Sequence, residues 1–123
     1  MRNMLASLTF VVAGYVLACA QRAILTPEQY KTEFDNDKVH VVRAFHAPRE
    51  KVPMHSHPTA VVVYLTDVHE RSTAPSGIVK EVTHNAGDVV WSPAHSHTLE
   101  NLSEKPIEVI EIELKPIAGH SEK

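Results

Sequence analysis

Cysteine is nearly absent from this chain, because Cys19 is the only one among 123 residues. A disulfide within the chain is therefore excluded, and stability has to come from packing. Positive charge is scarce as well, since 12 lysine and arginine residues are outnumbered by 15 acidic ones. We therefore expect no basic surface of the kind that binds nucleic acid. Aromatic residues make up only 6% of the chain, whereas histidine occurs nine times.

The first twenty residues have the layout of a secretory signal peptide. Arg2 precedes an apolar run, and small residues follow up to Ala18-Cys19-Ala20, which gives an A-x-A cleavage site before Gln21. The apolar run is shorter than the roughly 20 residues of a membrane-spanning helix. We therefore expect a periplasmic or secreted protein. The stretch Val16-Leu17-Ala18-Cys19 also resembles a bacterial lipoprotein box, so a form anchored to the membrane through a lipidated Cys19 is the alternative.

Beyond residue 38, short apolar runs alternate with turn residues. This pattern predicts β-strands near 39–47, 60–68, 78–83, 88–92, 96–102 and 106–114. Short strands at this spacing are typical of a closed antiparallel barrel or a double-sheet roll, so the expected fold is all-β. The expected organisation is a signal peptide over 1–20, a polar segment over 21–38 with one short helical turn, the barrel over 39–115 and a tail over 116–123.

The final predicted strand alternates apolar and acidic residues. In Ile110-Glu111-Ile112-Glu113-Leu114 the apolar side chains are expected to face the core and the acids to face solvent. Ile107 and Val109 have the opposite parity, so a bulge is expected near Val109–Ile110. On this interpretation Glu111 and Glu113 have no catalytic role. The run Val61-Val62-Val63 is apolar on both parities, which predicts a central strand covered on both sides.

Two histidine pairs stand out. His55 and His57 lie in PMHSHP, and His95 and His97 repeat their spacing in the stretch GDVVWSPAHSHTLEN. Residues i and i+2 of a strand point to the same side, so two such pairs can converge inside a small barrel. Imidazole nitrogen suits Zn, Cu, Fe or Ni as a ligand. The spacing therefore predicts a metal site.

The second histidine stretch resembles the second motif of the cupin family, G-x5-P-x-G-x2-H-x3-N. Gly87, Pro93, His97 and Asn101 match this motif in order. The sequence departs from the motif at His95, which stands where a glycine belongs, and one residue is missing before His97.

The first cupin motif, G-x5-H-x-H-x3,4-E-x6-G, is matched only at His55 and His57. Arg49 replaces its opening glycine, and its glutamate would fall at Val61 or Val62. A site with three histidines and one glutamate would therefore require a distant carboxylate. The resemblance covers roughly residues 38–115 and implies a small single-domain cupin with an export signal, folded as a double-stranded β-helix or jelly roll.

The resemblance implies a metal site made of His55, His57 and His97, holding one divalent ion of Fe, Mn, Ni, Cu or Zn, with iron slightly favoured. Three neutral ligands leave such an ion its full charge, which favours an anionic chelating ligand. Similarity to three-histidine cupin dioxygenases implies oxidation of a small chelating substrate with dioxygen, and small cupins are commonly homodimers. The alternative is a non-catalytic protein that binds a metal ion or a small ligand.

Other residues receive weaker predictions. His95 is either a fourth metal ligand or a residue that does not coordinate the ion. Asn101 is expected to hold a turn, with support of His97 as the alternative. Trp91 and Tyr64 are expected in packing, with pocket lining as the alternative. The remaining histidines are expected at the surface or in loops: His40, His46, His69, His84 and His120.

Overall fold

The computed structural model describes residues 29–119. The predicted signal peptide, the predicted helical turn and His120 lie outside this range. Within it, no helix is long and apolar enough to cross a membrane. The described residues form nine strands: β1 (Tyr30–Asp35), β2 (Val39–His46), β3 (Lys51–His57), β4 (Ala60–Tyr64), β5 (Val68–Thr73), β6 (Val79–His84), β7 (Val89–Ser92), β8 (His95–Asn101) and β9 (Ile107–Leu114).

The strands form two antiparallel sheets. Sheet A has the order β1-β2-β9-β4-β7, and sheet B has the order β3-β8-β5-β6. Strands that are neighbours in sequence, such as β3 and β4 or β7 and β8, lie in different sheets, so the chain repeatedly crosses from one sheet to the other. This is the double-sheet roll that the strand spacing predicts.

Three strands were not predicted. β1 is polar, and five of its six residues are exposed, because it is an edge strand paired only with β2. Its residues therefore show no alternation of apolar and polar positions, so the sequence predicts only a polar segment over 21–38. In the structure this stretch adds an edge strand to sheet A. β3 contains Pro53 and is not among the strands predicted from the apolar runs, and the single run predicted over 60–68 ends at Tyr64, with β5 beginning at Val68.

The predicted bulge in the last strand is wrong. β2 and β9 pair without a register shift from Val39↔Leu114 to His46↔Ile107. Parity is therefore constant along β9, and Glu111 shares the inner side with Ile107 and Val109, which are 0% and 6% exposed. The apolar residues at 110 and 112 lie on the outer side. The sequence pattern assigned the two faces the wrong way round because the interior of this roll is partly polar.

The hydrogen bonds of Asn101 decide between its two predicted roles. The side chain is completely buried, and its Nδ2 donates to the carbonyl oxygens of Ala47 at 3.0 Å and Lys105 at 2.8 Å. Its Oδ1 accepts from the backbone nitrogen of Ser103 at 3.0 Å. Asn101 therefore ties together the loops at one end of the roll, which is the turn-holding role.

Candidate metal centre

The pairing of β3 with β8 brings the four histidines of the two stretches together. The register sets His55 opposite His97 and His57 opposite His95. Alternation then puts all four imidazoles on the inner side of sheet B. On the outer side of the same two strands, the hydroxyls of Ser56 and Ser96 are 2.7 Å apart.

Three of these imidazoles form a compact group. One ring nitrogen from each of His55, His57 and His97 lies within 4.8 Å of the other two. The Nε2 atoms of His57 and His97 are only 3.3 Å apart. His55 and His97 are 8% and 9% exposed, so the group lies inside the roll. The structure thus brings together the three residues proposed from the sequence as metal ligands.

Each ring in the group has a partner for its other nitrogen. His55 Nδ1 is 2.7 Å from the carbonyl oxygen of Pro53, and His57 Nδ1 is 3.2 Å from Oε2 of Glu111. His97 Nδ1 is 2.9 Å from the hydroxyl of Ser72. Because carbonyl and carboxylate oxygens accept, Nδ1 carries the proton in His55 and His57, and Nε2 is left free to bind a metal ion.

Burial keeps two of the three imidazoles neutral. Burial lowers the pKa of His97 to about 3, helped by repulsion from His55 and His57. The pKa of His55 is also lowered, again mainly by burial. A neutral imidazole binds a metal ion without first losing a proton, so these two ring nitrogens are ready for coordination at neutral pH.

His57 differs because it contacts a carboxylate. Burial by itself would lower the pKa of His57, but the hydrogen bond and the negative charge of Glu111, together with the charges of Glu113 and Glu70, outweigh it and raise this pKa. The same contact lowers the pKa of Glu111, although burial opposes the change. Metal binding at Nε2 of His57 therefore competes with a proton that Glu111 helps to retain.

Glu111 is the site residue that the sequence analysis missed. It was assigned to a solvated face, but its side chain is 12% exposed and lines the central cavity. The register of β4 with β9 places Glu111 directly opposite Val62. Val62 is one of the two positions where the glutamate of the first cupin motif would fall. The neighbouring strand thus places a carboxylate opposite this position. The sequence did contain a signal for this orientation, because Glu111 lies an even number of residues from Ile107 and Val109, which are buried on the same face of the strand.

His95 lies beside the three-histidine group and outside it. It is exposed, and its ring stacks on that of His57 with centroids 5.2 Å apart. Its Nδ1 is 2.8 Å from the carbonyl oxygen of Pro93, which repeats the contact of His55 with Pro53. Both stretches read P-x-H-S-H, and this repeat was the signal in the sequence for the shared orientation of the first histidine of each pair.

The three-histidine group opens into a cavity of about 200 Å³ between the sheets. A second carboxylate, Glu70, also lines it, and burial together with the charge of Glu111 raises the pKa of Glu70 to about 7. Tyr64 lines the cavity as well, whereas Trp91 is 60% exposed on the outer side of sheet A. Apolar cavity walls come from residues of both sheets: Ala44, Ala60, Val62, Val82, Leu99 and Val109.

The prediction that His46 lies at the surface is wrong. His46 is 6% exposed and lines the cavity, because it occupies an inward position at the end of β2. Its Nδ1 is 3.6 Å from a carboxylate oxygen of Glu50. His69 is exposed as expected, while His40 and His84 are partly buried.

Comparison with solved structures identifies the fold. The chain is similar to a cupin domain from Bordetella pertussis Tohama I, with a TM-score of 0.66 and 25% identity over 71% of this chain and 92% of that one. It is also similar to an uncharacterised conserved protein with a double-stranded β-helix domain from Klebsiella pneumoniae, with a TM-score of 0.56 and 19% identity over 94% of this chain and 95% of that one. No protein-family model matches the sequence, and no curated protein matches it.

The fold is therefore the cupin double-stranded β-helix, as the sequence predicted. Within this roll, histidine and glutamate side chains form a cluster that could hold a metal ion. A second group of potential ligands, formed by His57, Glu111 and Glu113, adjoins the first through His57.

The contact between His57 and Glu111 predicts how metal affinity depends on pH. As the pH falls through the raised pKa of His57, its imidazole gains a proton and the affinity for Co²⁺ should decrease. In Glu111→Gln, burial is opposed only by the charges of Glu113 and Glu70, so the pKa of His57 falls and the decrease should begin at a lower pH. At pH 8 the same variant should bind Co²⁺ about 10–100-fold more weakly, because His57 loses its orienting partner. Titrations at several pH values, followed by visible absorption, measure both effects. An unchanged pH profile would contradict the assigned contact.

Proposed function

We propose that this chain is an exported metal-binding cupin that uses a three-histidine site to oxidise a small chelating substrate with dioxygen. One observation carries the proposal: the Nδ1 atoms of His55, His57 and His97 are all engaged, and one ring nitrogen of each residue lies within 4.8 Å of the other two. An arrangement in which each imidazole is oriented by its second nitrogen is typical of metal ligands in proteins.

The donor set fits a divalent first-row transition ion. Imidazole nitrogens suit Fe, Ni, Cu and Zn, and Mn is also compatible with a site that contains a nearby carboxylate. We favour iron slightly, on the resemblance to three-histidine cupin dioxygenases. A bound ion of this kind supplies a Lewis acid with open positions for a chelating substrate and for dioxygen.

The other cavity residues support an enzyme over a passive binder. The absence of the motif glutamate argued for a binder, because it removed a possible general base. The cavity nevertheless contains Glu70, whose pKa of about 7 suits proton transfer near neutral pH. Glu111 holds His57 in place, and the apolar walls exclude water from the substrate.

The charge of the cavity limits the kinds of ligand that are expected to bind. Among the described residues that line it there is no lysine or arginine, whereas Glu70 and Glu111 are both present. A bound divalent ion would therefore supply the positive charge for an anionic chelating group. We propose that the remainder of the ligand is small and either neutral or a hydrogen-bond donor, because a second anionic group would be repelled by the two carboxylates.

We further propose export to the periplasm or the exterior, based on residues 1–20, with the lipoprotein anchored through Cys19 as the alternative. The intact mass of the protein recovered from expressing cells tests this proposal. A chain that begins at Gln21 supports signal cleavage, and a lipidated chain that begins at Cys19 supports the anchor. An unprocessed chain would contradict both.

We also propose that the protein is a homodimer formed through the outer side of sheet A. That side carries Trp91, Val89 and Phe34, which are 60%, 65% and 53% exposed. Between them lie partly buried apolar side chains at positions 61, 63, 110 and 112, placed side by side by the strand register. A contiguous apolar patch of this kind marks an interaction surface. A second copy would also cover the outer face of the valine run in β4, which the sequence predicted to be covered on both sides.

The metal content of purified protein tests the site. We expect one transition-metal ion per chain in the wild type, and at least about 100-fold weaker binding in His97→Ala, because a buried first-sphere ligand is lost. His69→Ala is the matched control, since this exposed histidine pairs with Glu81 on the surface and should leave the metal content unchanged. Equal metal in the wild type and in His97→Ala, measured by elemental analysis, would refute the site.

Oxygen consumption by the metal-loaded protein then separates the enzyme from the binder. We expect uptake of dioxygen with a diketone, a thiol or a catechol, and we expect Glu70→Gln to reduce the rate because a proton acceptor is lost. Metal binding without uptake on any of these substrates would favour the non-catalytic alternative.

The dimer can be tested by changing one exposed side chain. Trp91→Glu should convert the protein to a monomer, because it places a charge within the buried surface. Ile117→Glu is the control, since Ile117 is 70% exposed and follows the C-terminal end of β9. Sedimentation velocity measures the mass of each form. A wild-type monomer, or a Trp91→Glu variant that remains dimeric, would contradict this interface.

A further inference from the structure

Tyr30 is the one residue of β1 that enters the interior. The other five residues of this edge strand are exposed, whereas Tyr30 pairs with the buried Ala44 and packs against the core cluster between the sheets. Its hydroxyl is 2.9 Å from Oε2 of Glu111 and 2.5 Å from Oε1 of Glu113. The first residue of β1 thus contacts the two carboxylates beside the candidate metal centre.

A single oxygen atom connects Tyr30 to a proposed metal ligand. Oε2 of Glu111 accepts from the hydroxyl of Tyr30 and also lies 3.2 Å from Nδ1 of His57. Among the described residues, Tyr30 and His57 are the only side chains that contact the Glu111 carboxylate through hydrogen bonds. Glu113 differs, because His40 Nδ1 also contacts its other oxygen, at 2.8 Å.

This geometry limits how Glu111 can move. A glutamate side chain has several rotatable bonds, and one contact with His57 would leave the carboxylate free to turn about it. The hydroxyl of Tyr30 supplies a second fixed point, and the phenol ring is itself held by packing against the buried core cluster that contains Ala44 and Val109. Two fixed points hold the carboxylate in one orientation, and that orientation aligns the Nδ1–H of His57.

We infer that Tyr30 is a positioning residue that acts through Glu111 on His57, and so couples the first strand of the fold to the metal centre. The inference on metal affinity rests on the proposed function, whereas the effect on the orientation and tautomer of His57 is independent of any metal. Tyr30→Phe is the informative change, because it removes only the hydroxyl and keeps the packed ring.

The first experiment uses metal-free protein. Long-range ¹H–¹⁵N NMR at pH 8 reports which ring nitrogen of each histidine carries the proton. We expect the Nδ1–H form of His57 to predominate in the wild type and to be less populated in both Tyr30→Phe and Glu111→Gln. The signals of His55 should not change, because its Nδ1 donates to a backbone carbonyl. Unchanged His57 signals in Tyr30→Phe would overturn the inference.

The second experiment is a double-mutant cycle on Co²⁺ affinity. Tyr30→Phe should weaken binding up to about tenfold in the wild type, and less than about twofold when Glu111 is already glutamine, because its effect passes through that carboxylate. Thr32→Val is the matched control. It removes another hydroxyl from β1, one that contacts His40 at 2.9 Å, without touching Glu111.

The outcomes distinguish the two proposals. An equal loss of affinity from Tyr30→Phe in both backgrounds, or an equal loss in Thr32→Val, would show that the tyrosine acts only by docking the strand. Wild-type protein that binds no Co²⁺ while Tyr30→Phe still changes the His57 signals would refute the proposed function and support the positioning of His57.

Discussion

The register between β3 and β8 is the constraint on which the rest of the site depends. It sets His55 opposite His97 and His57 opposite His95 at the ladder spacing of an antiparallel pair. A slip of one residue in β8 would reverse its side chains, turning Ser96 inward and both of its histidines outward. The inner imidazoles are therefore brought together by backbone hydrogen bonds, and no metal ion is needed to explain their proximity.

Placing titratable groups inside a small roll is costly unless each has a partner. Burial keeps the imidazoles of His55 and His97 neutral, and their Nδ1 atoms are hydrogen-bonded. His57 and Glu111 offset the cost of burial as a pair, because each favours the charged form of the other. Glu70 has no such partner among the described contacts, and its raised pKa reflects that burial. The interior thus contains a polar pocket as well as a hydrophobic core.

Sheet A has an unusual distribution of polarity that follows from this pocket. Its inner side carries His46 and Glu111 among small apolar residues, and its outer side carries apolar residues of β4, β7 and β9. The usual alternation of apolar inside and polar outside is partly reversed. A cavity that contains charged groups explains the inner side, and an interface with a second chain would explain the outer side.

Sequence by itself determined the all-β class, because strand alternation is a local property that needs no knowledge of distant contacts. The resemblance of the two histidine stretches to the cupin motifs predicted the jelly roll, and it singled out His55, His57 and His97 as candidate ligands. Glu111 could not be found in the same way. Its neighbours Ile110 and Ile112 argued for the opposite orientation, and only the continuous register with β2 and β4 set its direction. The inward position of Tyr30 could not be predicted for a related reason, because an edge strand has little apolar pattern of its own. Which strands pair, and in which register, is decided by the tertiary structure, because that choice depends on packing between residues that are far apart in the chain.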